Sequence, residues 1–586
     1  MTTDAGRQPN TGDLTARAAG LGLVLVTLLA LGLRLCGIGF MLPHFAHIDE
    51  RVYANQVDLF RGLEPFPGEV DNYAFYPELV PWIASATTPF ELARPPAHGI
   101  DEQRELGGAK VVSLRTTVAW LAVLLVPATY FFSRRFTSRR VALTAACFVA
   151  ASVLHAWHSQ QARPHAVLAT TTLAAVLGAL FVLRRGDWRA YVIAGFASGL
   201  ALATLQSGFA VLPALCAAHV LRRHDRGWPA QGFFVLALGV CLVTGRVFYP
   251  FVFHAGTGEI ALGWWSSGGK LELSGHGMDF TDFNGGGFVP LARALCDFDP
   301  LIATFALVGL VTCAVSLARA RFRLENGRAW LVVLAHALPY MIAIGMWQRS
   351  YQRFLLPLLP YFALLAAWGA WWIVERVSKR EIVRYALVGL VLVMQFVTTV
   401  KLVQLRRAPD TATEAADWIA THLKQTDRIA VIPMLDLPLL RHERGLADRA
   451  RAVGREYKPW PRYQLSIPAE ERALEAFDVF NMPIADPRLV QLLLTDPAAY
   501  VREIGADYVA VQEFGPNIRL NLGKIRDAVK QSGTLVARFS PWRIDRSGDT
   551  PLLYYWDSEF AAESWLTWRM FAMRSLGAPV EIYRMH

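Results

Sequence analysis

The sequence predicts a polytopic α-helical membrane protein of about eleven spans, with helices lying along its outer surface and a soluble α/β domain at its C-terminal end. Three observations carry this expectation. Apolar runs long enough to cross roughly 30 Å of hydrocarbon recur between residues 18 and 402. Arginines gather in short clusters between alternate runs, as loops on one side of a membrane require. After about Gln404 the pattern changes to short helix and strand signals in alternation, the signature of a small α/β domain. A hydrophobic fraction of 54% and a mean hydropathy of +0.30 agree with the class.

Residues 1–17 form a polar tail, and the run at 18–41 is too long for a signal peptide and has no small-residue cleavage site, so it reads as a retained anchor. Further spans are expected at 109–132, 141–158, 163–183, 231–253, 300–319, 329–347, 353–375 and 383–402. Two shorter pieces, 191–205 and 209–221, are separated by Gln206-Ser207-Gly208 and form either one kinked span or two half-length helices. The basic clusters decide for the second. Arg134/Arg135/Arg139/Arg140, Arg184/Arg185/Arg189, Arg222/Arg223/Arg226, Arg319/Arg321/Arg323/Arg328 and Arg376/Lys379/Arg380/Arg384 share the cytoplasmic side only if this region crosses out and back. The N-terminus is then cytoplasmic, residues 18–403 form the membrane domain, and residues 404–586 lie outside as the soluble domain. Lys401, Arg406 and Arg407 fall on the outer side, against the rule.

The formal charge of +10 does not point to nucleic acid, because the arginines form no continuous basic face. The six cysteines (Cys36, Cys147, Cys216, Cys241, Cys296 and Cys313) lie in or beside apolar runs without paired or metal-type spacing, so no disulfide framework is expected.

The first outer loop, 42–108, is strongly acidic, and it opens with His47-Ile48-Asp49-Glu50-Arg51-Val52-Tyr53-Ala54. Two carboxylates where a span meets water are a functional candidate, since each costs about 2.5–3.5 kcal/mol to bury in hydrocarbon. Val52, Gln56, Leu59, Phe60 and Leu63 recur at helical spacing behind the pair, and Tyr76 to Phe90 forms a second surface segment opened by Pro77. The loop at 254–298 is rich in glycine, with Trp264-Trp265 as interface anchors; it is either a connector or a flap whose Lys270 or His276 meets a phosphate. In the soluble domain, Thr411–Leu423 and Pro487–Tyr500 read as helical, and Arg428–Pro433, Asp507–Gln512 and Thr534–Phe539 as strands, with no phosphate loop, nucleophile elbow or metal spacing.

His47-Ile48-Asp49-Glu50-Arg51 with Tyr53-Ala54, then Phe60-Arg61-Gly62, then Asn72-Tyr73-Ala74-Phe75-Tyr76-Pro77-Glu78-Leu79 resemble, in this order, a motif set of the GT-C glycosyltransferases. The resemblance is to the branch of protein O-mannosyltransferases and bacterial phospholipid-carrier-dependent glycosyltransferases. Ser159 to Pro164 and Arg349 to Pro360 resemble two later stretches of that branch. The resemblance implies transfer of a sugar, with inversion, from a polyprenyl-phosphate donor to an acceptor (protein, lipid or glycan) on the outer face of a bacterial cytoplasmic membrane. It implies Asp49 as the base, Glu50 as orienter of the acceptor or partner of Arg51, and Arg353, Arg349 and Arg163 as donor-phosphate ligands. Arg51, Tyr53, Arg61, Tyr76 and His165 then line the pocket. Family members often carry Asp at the position of His165, and the aminoarabinose transferases a lysine where this chain has Phe75, which argues against that substrate. No cofactor or metal is expected, although His155, His158 and His165 near Asp49 would be the residues to share a divalent ion. The rival classes are a transporter or flippase for lipid-linked sugars, against which the lack of an internal repeat counts, and a non-catalytic scaffold.

Overall fold

The computed structural model describes residues 13–43, 49–61, 79–87, 99–222, 228–249, 271–273, 276–319, 326–432, 435–447, 459–483, 486–512, 522–544 and 566–586. Among them, seven helices are long and apolar enough to cross a membrane. Two further pairs, bent at short breaks, bring the number to nine: Arg139–Ala150 with Val153–Ser159, bent by 52°, and Phe288–Phe298 with Pro300–Ser316, bent by 117°. The chain is thus a multi-pass α-helical membrane protein whose outward side chains, such as Leu25, Val243, Leu307 and Val393, are the apolar ones.

The region around Gln206 folds as an antiparallel hairpin. The Trp188–Thr204 helix ends at Leu205, a single 3-10 segment Gln206–Val211 follows, and Leu212–Leu221 runs back. Tyr191 at the start of the first helix lies with its hydroxyl 2.6 Å from Nδ1 of His219 near the end of the second, and Arg222 donates to the carbonyl of Gly186. Gly208 is required at the reversal, because a Cβ there would stand 2.1 Å from the Ala201 carbonyl oxygen. At the polar break Gln206 donates to the Tyr249 hydroxyl at 2.8 Å. The count of spans reaches eleven if each short helix of this hairpin crosses.

Lys401 and Arg406, which broke the charge pattern, are structural cations. Lys401 Nζ donates to the Met573 carbonyl at 2.9 Å, and Arg406 is buried, donating to Gln160 Oε1 and to the Trp157 carbonyl at 3.0 Å. A charge consumed in capping a carbonyl does not report which side a loop faces.

The expected 254–298 loop is corrected over its last part. Among its described residues, β1 (Leu271–Leu273) and β2 (His276–Met278) form an antiparallel pair, and Phe288–Phe298 is a helix with one buried face of Leu291, Ala294 and Phe298. Gly287 allows this helix to begin against the end of the Gly327–Met346 helix, since a Cβ there would lie 2.3 Å from the Trp347 carbonyl oxygen.

The C-terminal domain is a five-stranded sheet in the order β4-β3-β5-β7-β6. β3 (Arg428–Val431), β4 (Asp478–Asn481) and β5 (Tyr508–Gln512) are parallel, whereas β7 (Val580–Met585) runs antiparallel to β5 and to β6 (Gly533–Phe539). The expected helix at 487–500 is two helices, Pro487–Thr495 and Pro497–Ile504, because Pro497 begins a new one capped by Asp496. The domain sits on the N-terminal part of the long Gly99–Val123 helix. Arg104 donates to the Pro438 carbonyl at 2.8 Å and pairs with Asp417 at 2.6 Å, and Trp460 packs where Gly107 leaves room, a Cβ being 2.7 Å from its ring.

Candidate active site

Asp49 and Glu50 open the Glu50–Phe60 helix, and the backbone sends their carboxylates to different surroundings. Glu50 is sealed. Its side chain has no exposure and receives two bonds from Arg115, Nε to Oε1 and Nη2 to Oε2, each 2.8 Å, with the Ala162 amide a third donor at 2.8 Å. Arg115 also donates to the carbonyls of Ile38 and Phe40 at 2.8 Å, closing the chain that leaves the first span. Its guanidinium lies 4.2 Å from the Phe40 ring centroid, and Arg406 lies 4.0 Å from the same ring. Such a bidentate pair in a dry site holds position, and its removal leaves an uncompensated charge.

Asp49 makes no cap bond with its side chain. Its carboxylate instead accepts from Arg163 Nη2 at 2.8 Å, and the two partners differ in access: the Asp49 side chain is 25% exposed, that of Arg163 1%. An arginine rooted in the protein therefore presents a carboxylate that solvent reaches.

The turn carrying Ala162 and Arg163 is itself fixed from three directions. Gln160 Nε2 donates to the carbonyls of Leu33, Arg34 and Cys36 at 3.2, 3.0 and 2.8 Å, binding the turn to the end of the first span. Arg406 grips Gln160 and the end of the Val153–Ser159 helix. At the other end of that helix, Asp299 accepts from Ser152 Oγ at 2.6 Å, from the Val153 amide at 2.8 Å and from Gln395 at 2.8 Å, so a residue from a distant break acts as its N-terminal anion.

On the far side of the turn, His165 begins the His165–Arg184 helix, with its ring centroid 6.3 Å from that of Phe354. Phe354 belongs to the 3-10 segment Gln352–Leu358, which also carries Arg353. Arg353 is buried, with its guanidinium 4.0 Å from the Tyr351 ring centroid. The structure thus joins Asp49, Arg163, His165 and the Arg353 segment in one connected series of elements, while Arg349 is exposed beside it. Tyr53 is buried in a cluster with Val57, Val80, Val111 and Leu114. Arg61 donates to the Ser85 carbonyl at 3.2 and 2.9 Å, joining the two surface helices, and Lys110 pairs with Asp58 at 2.6 Å. Lys270 and Tyr76 lie outside the described residues, as do the side chains of Arg51 and His276.

The histidines are differently engaged. His155 Nδ1 is 2.6 Å from Arg34 Nη2 and 3.4 Å from Ser159 Oγ, and a guanidinium at that distance repels a cation. Among the described residues no group of three or more His, Cys, Asp or Glu is placed to share a metal ion.

Arg115, Arg34, Gln160, Arg406 and Asp299 were not singled out as site residues from sequence. The signal was present: Arg34 and Arg115 are charges within long apolar runs, a position that calls for a named partner.

Residues 103–253 match the model of the family described as dolichyl-phosphate-mannose-protein mannosyltransferase. That stretch of the chain is similar to the protein-mannosyltransferase family. The match covers about a quarter of the chain and bears out the resemblance drawn from its loop motifs. Family members are membrane glycosyltransferases that use lipid-linked donors. No curated protein matches the chain in sequence. Among solved structures, it is similar to ArnT from Cupriavidus metallidurans bound to undecaprenyl phosphate, at 15% identity and a TM-score of 0.48, over 90% of this chain and 97% of that one. It is similar to the apo oligosaccharyltransferase of Archaeoglobus fulgidus at 14% identity and a TM-score of 0.46, over 92% of this chain and 76% of that one. For the mycobacterial arabinofuranosyltransferase AftD the identity is 16% and the TM-score 0.43, over 98% of this chain and 40% of that one.

Proposed function

We propose that the protein transfers a sugar from a polyprenyl-phosphate donor to an acceptor hydroxyl on the extracytoplasmic face of a bacterial cytoplasmic membrane, with inversion at the anomeric carbon. The observation that carries this reading is the division of labour between the two adjacent carboxylates: Glu50 is locked under Arg115, while Asp49 is solvent-accessible and oriented by a buried arginine.

In the reaction, Asp49 takes the proton of the acceptor hydroxyl as its oxygen forms a bond to the anomeric carbon. The bond from that carbon to the phosphate oxygen breaks on the opposite side, and the electron pair leaves with the polyprenyl phosphate. Positive charge must meet that leaving group, and Arg353, rooted in a 3-10 segment beside His165, is the residue assigned to it. Arg163 holds the Asp49 carboxylate in place between turnovers. Glu50 acts through position alone.

The test is a panel of radiolabelled polyprenyl-phosphate sugars offered to purified protein in nanodiscs. One donor is expected to release its carrier phosphate. Arg353→Ala should weaken that donor's binding, and unchanged donor affinity would remove Arg353 from the phosphate site. Binding of a donor with no transfer to any protein, lipid or glycan acceptor would contradict the enzyme reading.

A further inference from the structure

Between β6 and β7 of the sheet domain the chain returns to the membrane domain. The Leu566–Ala572 helix buries Met570, and the following Met573 and Leu576 are buried with it, in the same core cluster as the spanning helices. Thr567 Oγ1 donates to the Asp297 carbonyl at 2.8 Å, which fastens the helix against Phe288–Phe298, and Lys401 fastens Met573 to the end of the Glu381–Arg407 span.

The opposite face of this assembly is apolar and exposed. Trp568 is 68% exposed and Phe571 39%; Ile544, which follows the residue bonded to the Ala572 carbonyl, is 76% exposed; and on the neighbouring helix Val289 is 75% exposed. The Phe288–Phe298 helix is bent by 117° from the span that Pro300 begins, so it does not continue that span. Its buried face is Leu291, Ala294 and Phe298, and its outer face carries Val289, Arg293 and Cys296. Both adjoining spans also carry exposed apolar side chains, Leu307 on one and Val397 and Val400 on the other. Arg543 is exposed beside Ile544, and Arg293 has a half-exposed side chain.

We propose that Val289, Ile544, Trp568 and Phe571 insert at the boundary between headgroups and acyl chains, with Arg293 and Arg543 meeting anionic phospholipid headgroups. The C-terminal domain is then held to the bilayer at a second point, remote from its seat on the Gly99–Val123 helix. Tryptophan and phenylalanine backed by arginine on a helix in the surface plane are the residues that such a boundary favours. The proposal is independent of the catalytic reading, because its test reads lipid contact and not turnover.

The experiment incorporates a photo-reactive phenylalanine analogue at position 568, at 289 and, as a control, at Leu474, which is exposed on the soluble domain. Each protein is purified into nanodiscs of phosphatidylcholine with phosphatidylglycerol, irradiated, and its adducts identified by mass spectrometry. Lipid adducts are expected at 568 and 289, enriched in phosphatidylglycerol, with none at 474. If the analogue at 568 prevents insertion, position 571 replaces it with the same expectation. Absence of lipid adducts at 568 or 571, or adducts to a second polypeptide there, would overturn the proposal.

Discussion

Replacing Arg115 by Met tests whether the buried pair beneath the site is a fastening. The substitution removes both 2.8 Å bonds from Arg115 to the fully buried Glu50 carboxylate, which keeps the Ala162 amide as a donor. Breaking a buried pair from one side costs about 3–5 kcal/mol. Loss of donors to the Ile38 and Phe40 carbonyls adds roughly 1 kcal/mol each where water does not replace them. The folded-to-unfolded ratio should therefore fall by roughly two to five powers of ten. The double variant Arg115→Met with Glu50→Gln removes both charges of the pair and keeps an acceptor for Ala162, so it should recover about 1–3 kcal/mol of the loss. Chemical unfolding in mixed micelles, read by loss of helical signal and of monodisperse elution, measures all three proteins. A single variant within about 0.5 kcal/mol of wild type, or a double variant no more stable than the single, would refute the reasoning.

Three further outcomes are expected. Arg163→Gln should lower transfer by roughly 10²–10³, the scale of a lost charge-assisted contact at a reacting group, with donor affinity unchanged; a selective loss of donor affinity would move Arg163 to the phosphate instead. Gly107→Leu should loosen the seat of the soluble domain, costing about 1–3 kcal/mol because the new side chain meets the Trp460 ring, and hydrogen exchange over residues 99–110 should rise. Asp410 caps the Thr411–His422 helix, accepting from the amides of Ala412 and Thr413 at 2.9 and 3.0 Å, while burial pushes its carboxyl up from the usual range. Asp410→Ala should cost about 1–2 kcal/mol and Asp410→Asn much less, since asparagine keeps the acceptor without the buried charge; equal losses in thermal unfolding would disprove the cap.

Much of the fold was legible because length and apolarity are what a bilayer selects for. The long runs became helices at nearly the expected places, and the out-and-back course at Gln206 followed from where the arginines lay. The signals that failed are those whose meaning depends on a distant partner. Lys401 and Arg406 looked like loop charges until the carbonyls they cap were in place. The glycines of the 254–298 loop masked Phe288–Phe298, an amphipathic helix of only eleven residues. β4 and β7 were missed because four to six residues of strand, buried on both faces, carry no alternation to read. At the site, Asp49 and Glu50 were equivalent as neighbours in sequence. Only Arg115, 65 residues on, and Arg163, 114 residues on, separate them.

That separation is the centre of the account, and one comparison tests it most directly: carrier-phosphate release and unfolding stability measured together for wild type, Asp49→Asn and Glu50→Gln in the same nanodiscs. The account predicts that Asp49→Asn abolishes release with stability and membrane insertion intact, while Glu50→Gln is destabilised yet still releases carrier. Undiminished release by Asp49→Asn would contradict it.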